Sequence, residues 1–165
     1  MNFETILAPI KINGVSQYNS NENVISIPGT DWSQRMVEEF HVFEVPNSGK
    51  DIIRYKPEYL TFRKREYGAM DNLHSIEKLI ILNFKEDYDL FLRDKDFCPT
   101  YRERIRKYVS YLLYTGVWAE LPDDEKLVFF FSPEQIELKN SPIPFRNSMH
   151  NKYYELNKLL SNFVV

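Results

Sequence analysis

Residues 98 to 116, CPTYRERIRKYVSYLLYTG, constrain the fold of this chain more than any other stretch, because they spell one helix from end to end. Pro99 suits the first helical position, where its missing N–H costs nothing. Gly116 suits the residue just past the end, which commonly adopts a left-handed conformation. Between them Tyr101, Ile105, Tyr108, Val109, Leu112 and Leu113 recur at the spacing of one helix face. Arg104, Lys107, Tyr111 and Tyr114 fall in a row on the other, with Glu103 and Ser110 beside them. Such a helix spans roughly 24 Å. Its second row is expected to be a contact face.

With 165 residues the chain is long enough to bury a core without staples, and 1–165 reads as one domain. No run of about eighteen apolar residues occurs, so no membrane span is expected. The start, MNFETILAPIKING, lacks a basic region followed by an apolar stretch, so no secretory signal is expected either. The single Cys98 cannot form an intramolecular disulfide and fits a reducing compartment. A soluble, cytoplasmic protein is the expectation. Alanine occurs only three times while Asn, Lys, Ile, Tyr and Phe abound, a bias typical of AT-rich genomes such as those of many phages.

The net charge of −3 hides a segregation. Residues 50–65 carry Lys50, Arg54, Lys56, Arg63, Lys64 and Arg65 against Asp51 and Glu58. Residues 119–139 reverse this, with Glu120, Asp123, Asp124, Glu125, Glu134 and Glu137 against Lys126 and Lys139. A bipolar surface favours oriented association with a charged partner or with a second copy of the chain.

The first 66 residues read as β-rich. ETILAPIKI and NVISIP have strand character, and a helical turn or two from Thr30 or Asp31, with Trp32, Met36, Val37 and Phe40 on one face, precedes a strand beginning near Glu39. A hairpin through Asn47, Ser48 and Gly49 would join EEFHVFEV to DIIRY, and PEYLTFRKREYG is a further strand ending at Gly68. The later part reads as more helical. HSIEKLIILNF fits either a helix capped by Asp71 or Asn72 or a buried strand, EDYDLFLRD a short amphipathic helix, and LVFFFS a strand. Ser132-Pro133-Glu134-Gln135 has capping-box spacing. Residues 140–147 are expected to be an extended linker or arm before a terminal helix over NSMHNKYYELNKLL, which would bury Tyr153, Leu156, Leu159 and Leu160. The class is α+β, a β-rich N-terminal part (about 1–66) packed with a helical C-terminal part.

Chemistry-bearing patterns are sparse. Cys98 and Arg104 have the spacing of a phosphatase loop, but Pro99 starts a helix where such a loop needs glycines to wrap a phosphate. Pro122-Asp123 followed by Glu137-Leu138-Lys139 is similar to the loose pattern of the PD-(D/E)xK nuclease superfamily, which would imply carboxylates holding Mg²⁺ and a lysine aiding the attacking water. His41, His74 and His150 lack metal-ligand spacing, and neither a glycine-rich phosphate loop nor a serine nucleophile elbow occurs. No metal or cofactor is therefore expected.

Basic residues interleaved with aromatics make the strongest surface signal, in one set around Arg63, Lys64 and Arg65 with Tyr59, Phe62 and Tyr67, and a second of Arg104, Lys107, Tyr111 and Tyr114. Nucleic acids are bound with this chemistry, and so are proteins, whose interfaces favour Tyr and Arg. The pI near 5.7 points away from phosphate-led binding. The sequence therefore leads to a non-enzymatic regulatory, adaptor or inhibitor protein, phage- or mobile-element-like in composition. It would bind a protein partner through Arg104, Lys107, Tyr111 and Tyr114, adjoined by Arg63, Lys64 and Arg65. Nucleic-acid binding through the same residues is the alternative, a Mg²⁺-dependent nuclease a remote one, and a homo-oligomer is compatible with either binding reading.

Overall fold

The computed structural model describes residues 22–48, 53 and 57–165, together with the backbone of 11–12 and 15–16. Its elements are β1 (Lys11–Ile12), β2 (Val15–Ser16), β3 (Val24–Pro28), α1 (Asp31–Phe40), β4 (Val42–Pro46), β5 (Tyr59–Arg63), β6 (Asn72–Leu82), α2 (Phe84–Arg93), α3 (Pro99–Thr115), α4 (Val117–Glu120), β7 (Lys126–Glu137), β8 (Lys152–Tyr154) and α5 (Leu156–Ser161). β1 pairs with β2; the other six strands form one mixed sheet in the order β4-β7-β6-β5-β3-β8. The fold is α+β.

The sheet is built on its two longest strands. β6 and β7 run antiparallel from Leu82↔Lys126 to Asn72↔Glu137, with register shifts on either side of Ile76. Residues 126–131, KLVFFF, are buried without alternation because both faces of this central segment are covered. Val128 and Phe130 face one core with Ile80, Leu82 and the apolar side of α3; Leu127, Phe129 and Phe131 face the other with Ile25, Leu60 and Phe62. Phe130 is fully buried, so Phe130→Ala would cost about 3–5 kcal/mol. β3 and β5 pair in parallel, and the crossover between them carries α1 and β4. The edge strands are short, and β4 ends in Pro46, features that discourage edge-to-edge pairing.

Local signals explain most helices. Thr30 caps α1 by accepting the Ser33 N–H (3.1 Å), and His41 ends it in a left-handed conformation (φ 55°). The helix runs to Phe40 and the strand begins at Val42, three residues later than the expected start near Glu39. The helix is closed at both ends, by the Thr30 cap and by the His41 N–H donating to the Val37 carbonyl, with Met36 and Val37 buried, one in each core. Asn83 caps α2 through the N–H groups of Lys85 and Glu86. Pro99 opens α3, and Gly116 closes it at φ 81°, as the sequence predicts.

One open choice is resolved and three expectations change. Of the two readings of HSIEKLIILNF, the structure takes the strand: β6 covers it as far as Leu82, its apolar residues serving the two sheet faces in turn, and Asn83 and Phe84 begin α2. The capping-box residues at Ser132 continue β7 as an exposed strand, because pairing of Leu73 with Ile136 and Asn72 with Glu137 extends the ladder past them. The terminal helix shrinks to Leu156–Ser161: Tyr153 pairs with Ile25 in β8, Leu159 is buried, and Leu160 is about half exposed. Finally, residues 140–147 are extended but pinned. Pro142 accepts from Met70 N–H (3.0 Å), while Ile143 and Phe145 donate to Phe163 and Val165 (2.9 and 2.7 Å). β4 pairs with β7; the expected hairpin into DIIRY and the strand over ETILAPIKI lie largely outside the described residues.

Candidate functional site

α3 lies across the sheet with Ile105, Tyr108, Val109 and Leu112 buried, so the apolar face read from the sequence is the packed one. The second row divides along its length. Arg104 turns inward: its Nη1 donates to the Phe131 carbonyl (2.9 Å), approaches Glu77 Oε2 (3.7 Å) and lies over the Tyr101 ring (5.4 Å). Next to the β6–β7 irregularity, Phe131 N–H donates to the His41 carbonyl instead (3.0 Å), so α1 and α3 both serve this one residue. Arg104 is thus a bracing residue, not a free contact cation, because backbone carbonyls beside a bulge need donors.

Tyr111 is half-buried, its ring against Trp32 (5.6 Å between centroids) and Phe40 (5.4 Å). Lys107 is exposed, and Tyr114 is the most exposed aromatic of the described residues at 89%. Leu113, expected on the apolar face, is 56% exposed beside Tyr114. Between the end of α1 and the first half of α3 runs an open groove of about 560 Å³, lined by Glu39, Phe40, His41, Glu103, Arg104 and Lys107 among others. Its charges are mixed, and Glu103 is paired with Arg106 (Nε–Oε2 2.8 Å), which holds the Glu103 carboxyl below its usual range.

The other expected contact residues divide in the same way. Arg63 is buried, 1% exposed, and cannot meet a partner. Its Nη1 donates to the Ser26 carbonyl and hydroxyl (2.8 Å each), and its Nη2 to the carbonyls of Ser148 (3.0 Å) and His150. The reason is that both faces of β5 are covered: Leu60, Thr61 and Phe62 are all buried without alternation, so the residue that ends the strand meets protein as well. Lys64 is exposed but paired with Asp71, whose carboxyl is lowered first by that hydrogen bond. Arg65 is exposed.

Beneath α3 lies a polar cluster that the sequence reading missed. Glu44 on β4 is hydrogen-bonded to Tyr108, near Lys126 and Asp124; burial pushes its pKa up to about 7 against the pull of Lys126. Tyr108 is likewise raised, by burial and then by Glu44. Lys126 holds Asp124 at 3.0 Å. On the other side of the sheet His74 sits between the rings of Phe62 and Phe131, and burial lowers its pKa to about 4, so it is neutral. The space lined by His74, Lys64 and Asp71 is about 20 Å³, the size of a water site.

The enzyme-like patterns do not assemble. Asp123 precedes β7, where its Oδ1 accepts from Asn83 (2.8 Å), and Glu137 ends the same strand, roughly 35 Å away at ordinary strand rise. The nuclease pattern is thereby excluded as a metal site. Cys98 is exposed at the start of α3, its thiol lowered chiefly by the Thr100 N–H, with no loop to hold a phosphate around it. Among the described residues no group of three His, Cys, Asp or Glu side chains is placed to hold a metal ion. None of the described helices is long and apolar enough to cross a membrane.

No protein-family model matches this chain. No curated protein matches it either. Among solved structures, two mutant forms of the ZmASCH protein from Zymomonas mobilis are similar. One is 8% identical over 84% of this chain and 97% of that chain, with a TM-score of 0.46. The other is 9% identical over 86% and 96%, with a TM-score of 0.45. Likeness at this level decides neither fold nor activity, and the site stands on its own geometry.

Proposed function

We propose that the protein acts by binding a protein partner, as a regulator, adaptor or inhibitor, through the face where α1 and α3 meet. The supporting observation is the strip formed by Trp32, Tyr111 and Tyr114 beside Leu113, continuous with the groove that holds Lys107. Tyr111 and Tyr114 are three residues apart and so neighbours on the helix. Exposed Tyr and Trp on a rigid helix are the side chains that most often dominate protein interfaces. The charges around the strip are balanced, with Glu39 and Glu103 against Arg106 and Lys107, which suits a protein better than a polyanion. The nucleic-acid reading of this face is weaker, because Arg104 serves Phe131 and Arg106 serves Glu103.

A partner captured from host extract, then purified, gives the test by titration against the wild-type chain and two variants. Tyr114→Ala and Leu113→Asp are expected to weaken binding by on the order of tenfold or more, with unchanged melting temperature. Equal affinity for all three proteins rules this face out. If light scattering instead reveals a dimer that the same variants dissociate, the partner is a second copy of the chain.

A further inference from the structure

A second surface, built from two segments outside the α1–α3 groove, has a different chemistry. The turn after β5, Lys64 to Gly68, packs against the loop before β8. At Gly68 (φ 71°) a Cβ atom would meet the Asn147 side chain and the Pro144 ring at 2.9 Å, so the backbone of the turn packs directly against these two side chains. Met70 N–H donates to the Pro142 carbonyl, and buried Arg63 reaches the carbonyls of Ser148 and His150. Both segments are therefore held to one another by the interior.

From this base each segment presents a ring and a cation. Tyr67 and Phe145 are each 78% exposed, and Arg65 and Arg146 are exposed beside them. Among the described residues neither arginine forms an ion pair. The turn contributes one acid, Glu66, and Asp71, just before β6, is taken up by Lys64. Tyr67 also holds a left-handed backbone (φ 58°), a conformation disfavoured for a bulky side chain, with no burial in return. The fold gains nothing from a tyrosine here that a glycine would not supply better. Unpaired guanidinium groups set beside solvent-facing rings match the two needs of an unpaired polynucleotide strand, phosphate neutralisation and a platform for bases.

We infer that the surface formed by Arg65, Tyr67, Phe145 and Arg146 binds single-stranded nucleic acid by stacking bases on the two rings. It shares no residue with the strip proposed on α3. The chain's net charge of −3 offers little long-range attraction, so the interaction is led by stacking and only locally by charge. With Lys64, at most three cations meet phosphates, which gives a log–log salt slope of about −2 for a single strand.

Fluorescence anisotropy tests this with labelled oligo-uridylate, oligo-deoxythymidylate and a DNA duplex, each about 20 nucleotides long. At low salt one or both single strands are expected to bind, more tightly than the duplex. Tyr67→Ala and Phe145→Ala should each weaken binding about fivefold or more, and Arg65→Glu with Arg146→Glu should abolish it. Tyr67→Gly separates function from folding, since it relieves the backbone while removing the ring: it should melt no lower than the wild type yet bind as poorly as Tyr67→Ala. Tyr114→Ala on α3 should leave oligonucleotide binding unchanged. No binding to either single strand at low salt overturns the inference, as does full affinity in the two ring variants or equal affinity for the duplex. Co-sedimentation with phosphatidylserine vesicles in the absence of any oligonucleotide binding would reassign the surface to a lipid headgroup and overturn it as well.

Discussion

The two basic–aromatic sets in this chain share a pattern that no count of charges reveals. In each, the first arginine is structural and the later members reach solvent. Arg104 leaves α3 to serve the Phe131 carbonyl, while Lys107 and Tyr114 stay outside. Arg63 ends β5 inside the protein on three backbone carbonyls, while Arg65 and Tyr67 stand in the turn beyond it. The difference between the sets is one of depth. Arg63 is fully enclosed and ties β3 and β5 to the 148–150 loop, whereas Arg104 is only partly covered and braces one strand irregularity. A guanidinium suits both tasks because its donors form a rigid fork that several carbonyls can share.

The largest effect expected from this comparison is at Arg63. Arg63→Leu leaves the carbonyls of Ser26, Ser148 and His150 without their donor and should cost on the order of 3–5 kcal/mol in urea unfolding. Arg63→Lys should recover little, since one ammonium cannot span both sides of the site. A loss below 1 kcal/mol would show that these contacts are dispensable.

Next come the buried titratable groups beside each set, which should act with opposite sign. Glu44, under α3, has a folded pKa of about 7, so the folded chain keeps a proton that the unfolded chain releases. Stability should therefore fall as pH rises from about 4.5 to 7. His74, near the β5 turn, is lowered from 6.5 to about 4, so stability should rise across that window. Where the windows overlap the two offset each other. Glu44→Gln should remove the falling limb, with a gain on the order of 2–3 kcal/mol at alkaline pH and little in acid. Denaturant titrations at both ends of the range check this, and an unchanged profile in the variant would mean that Glu44 ionises freely.

Arg104→Ala is expected to cost about 2 kcal/mol, the loss of one charged donor to a backbone carbonyl. If it costs as much as Arg63→Leu, depth does not separate the two sets. The smallest effects belong to the solvent-facing members: Lys107→Ala, Tyr114→Ala and Arg65→Ala should each stay within about 0.5 kcal/mol of the wild type by thermal melting. Any larger loss would place that side chain in the structural group.

Much of the local architecture was legible in the chain. The ends of α3 follow from Pro99 and Gly116, its packed face from Ile105, Tyr108, Val109 and Leu112, and the central strand from LVFFFS. These are short-range matters of capping, period and β propensity. Less was legible where an apolar run fits two periods. Residues 73–82 satisfy a helix until β5 and β7 supply ladder partners on both sides, and Ser132 to Gln135 satisfy a helix cap until β6 extends past them. The candidate surface was half-legible: residue types pointed to contact chemistry, but exposure did not follow from type.

The sequence by itself determined the α+β class and the α3 helix with its two rows, since periodicity, capping and spacing are properties of neighbouring residues. Only the tertiary structure decided which members of the basic–aromatic sets face water. Whether Arg63 and Arg104 find a carbonyl or a solvent molecule depends on strands and loops distant in the chain, and a buried carbonyl without a donor is costlier than an arginine withdrawn from the surface.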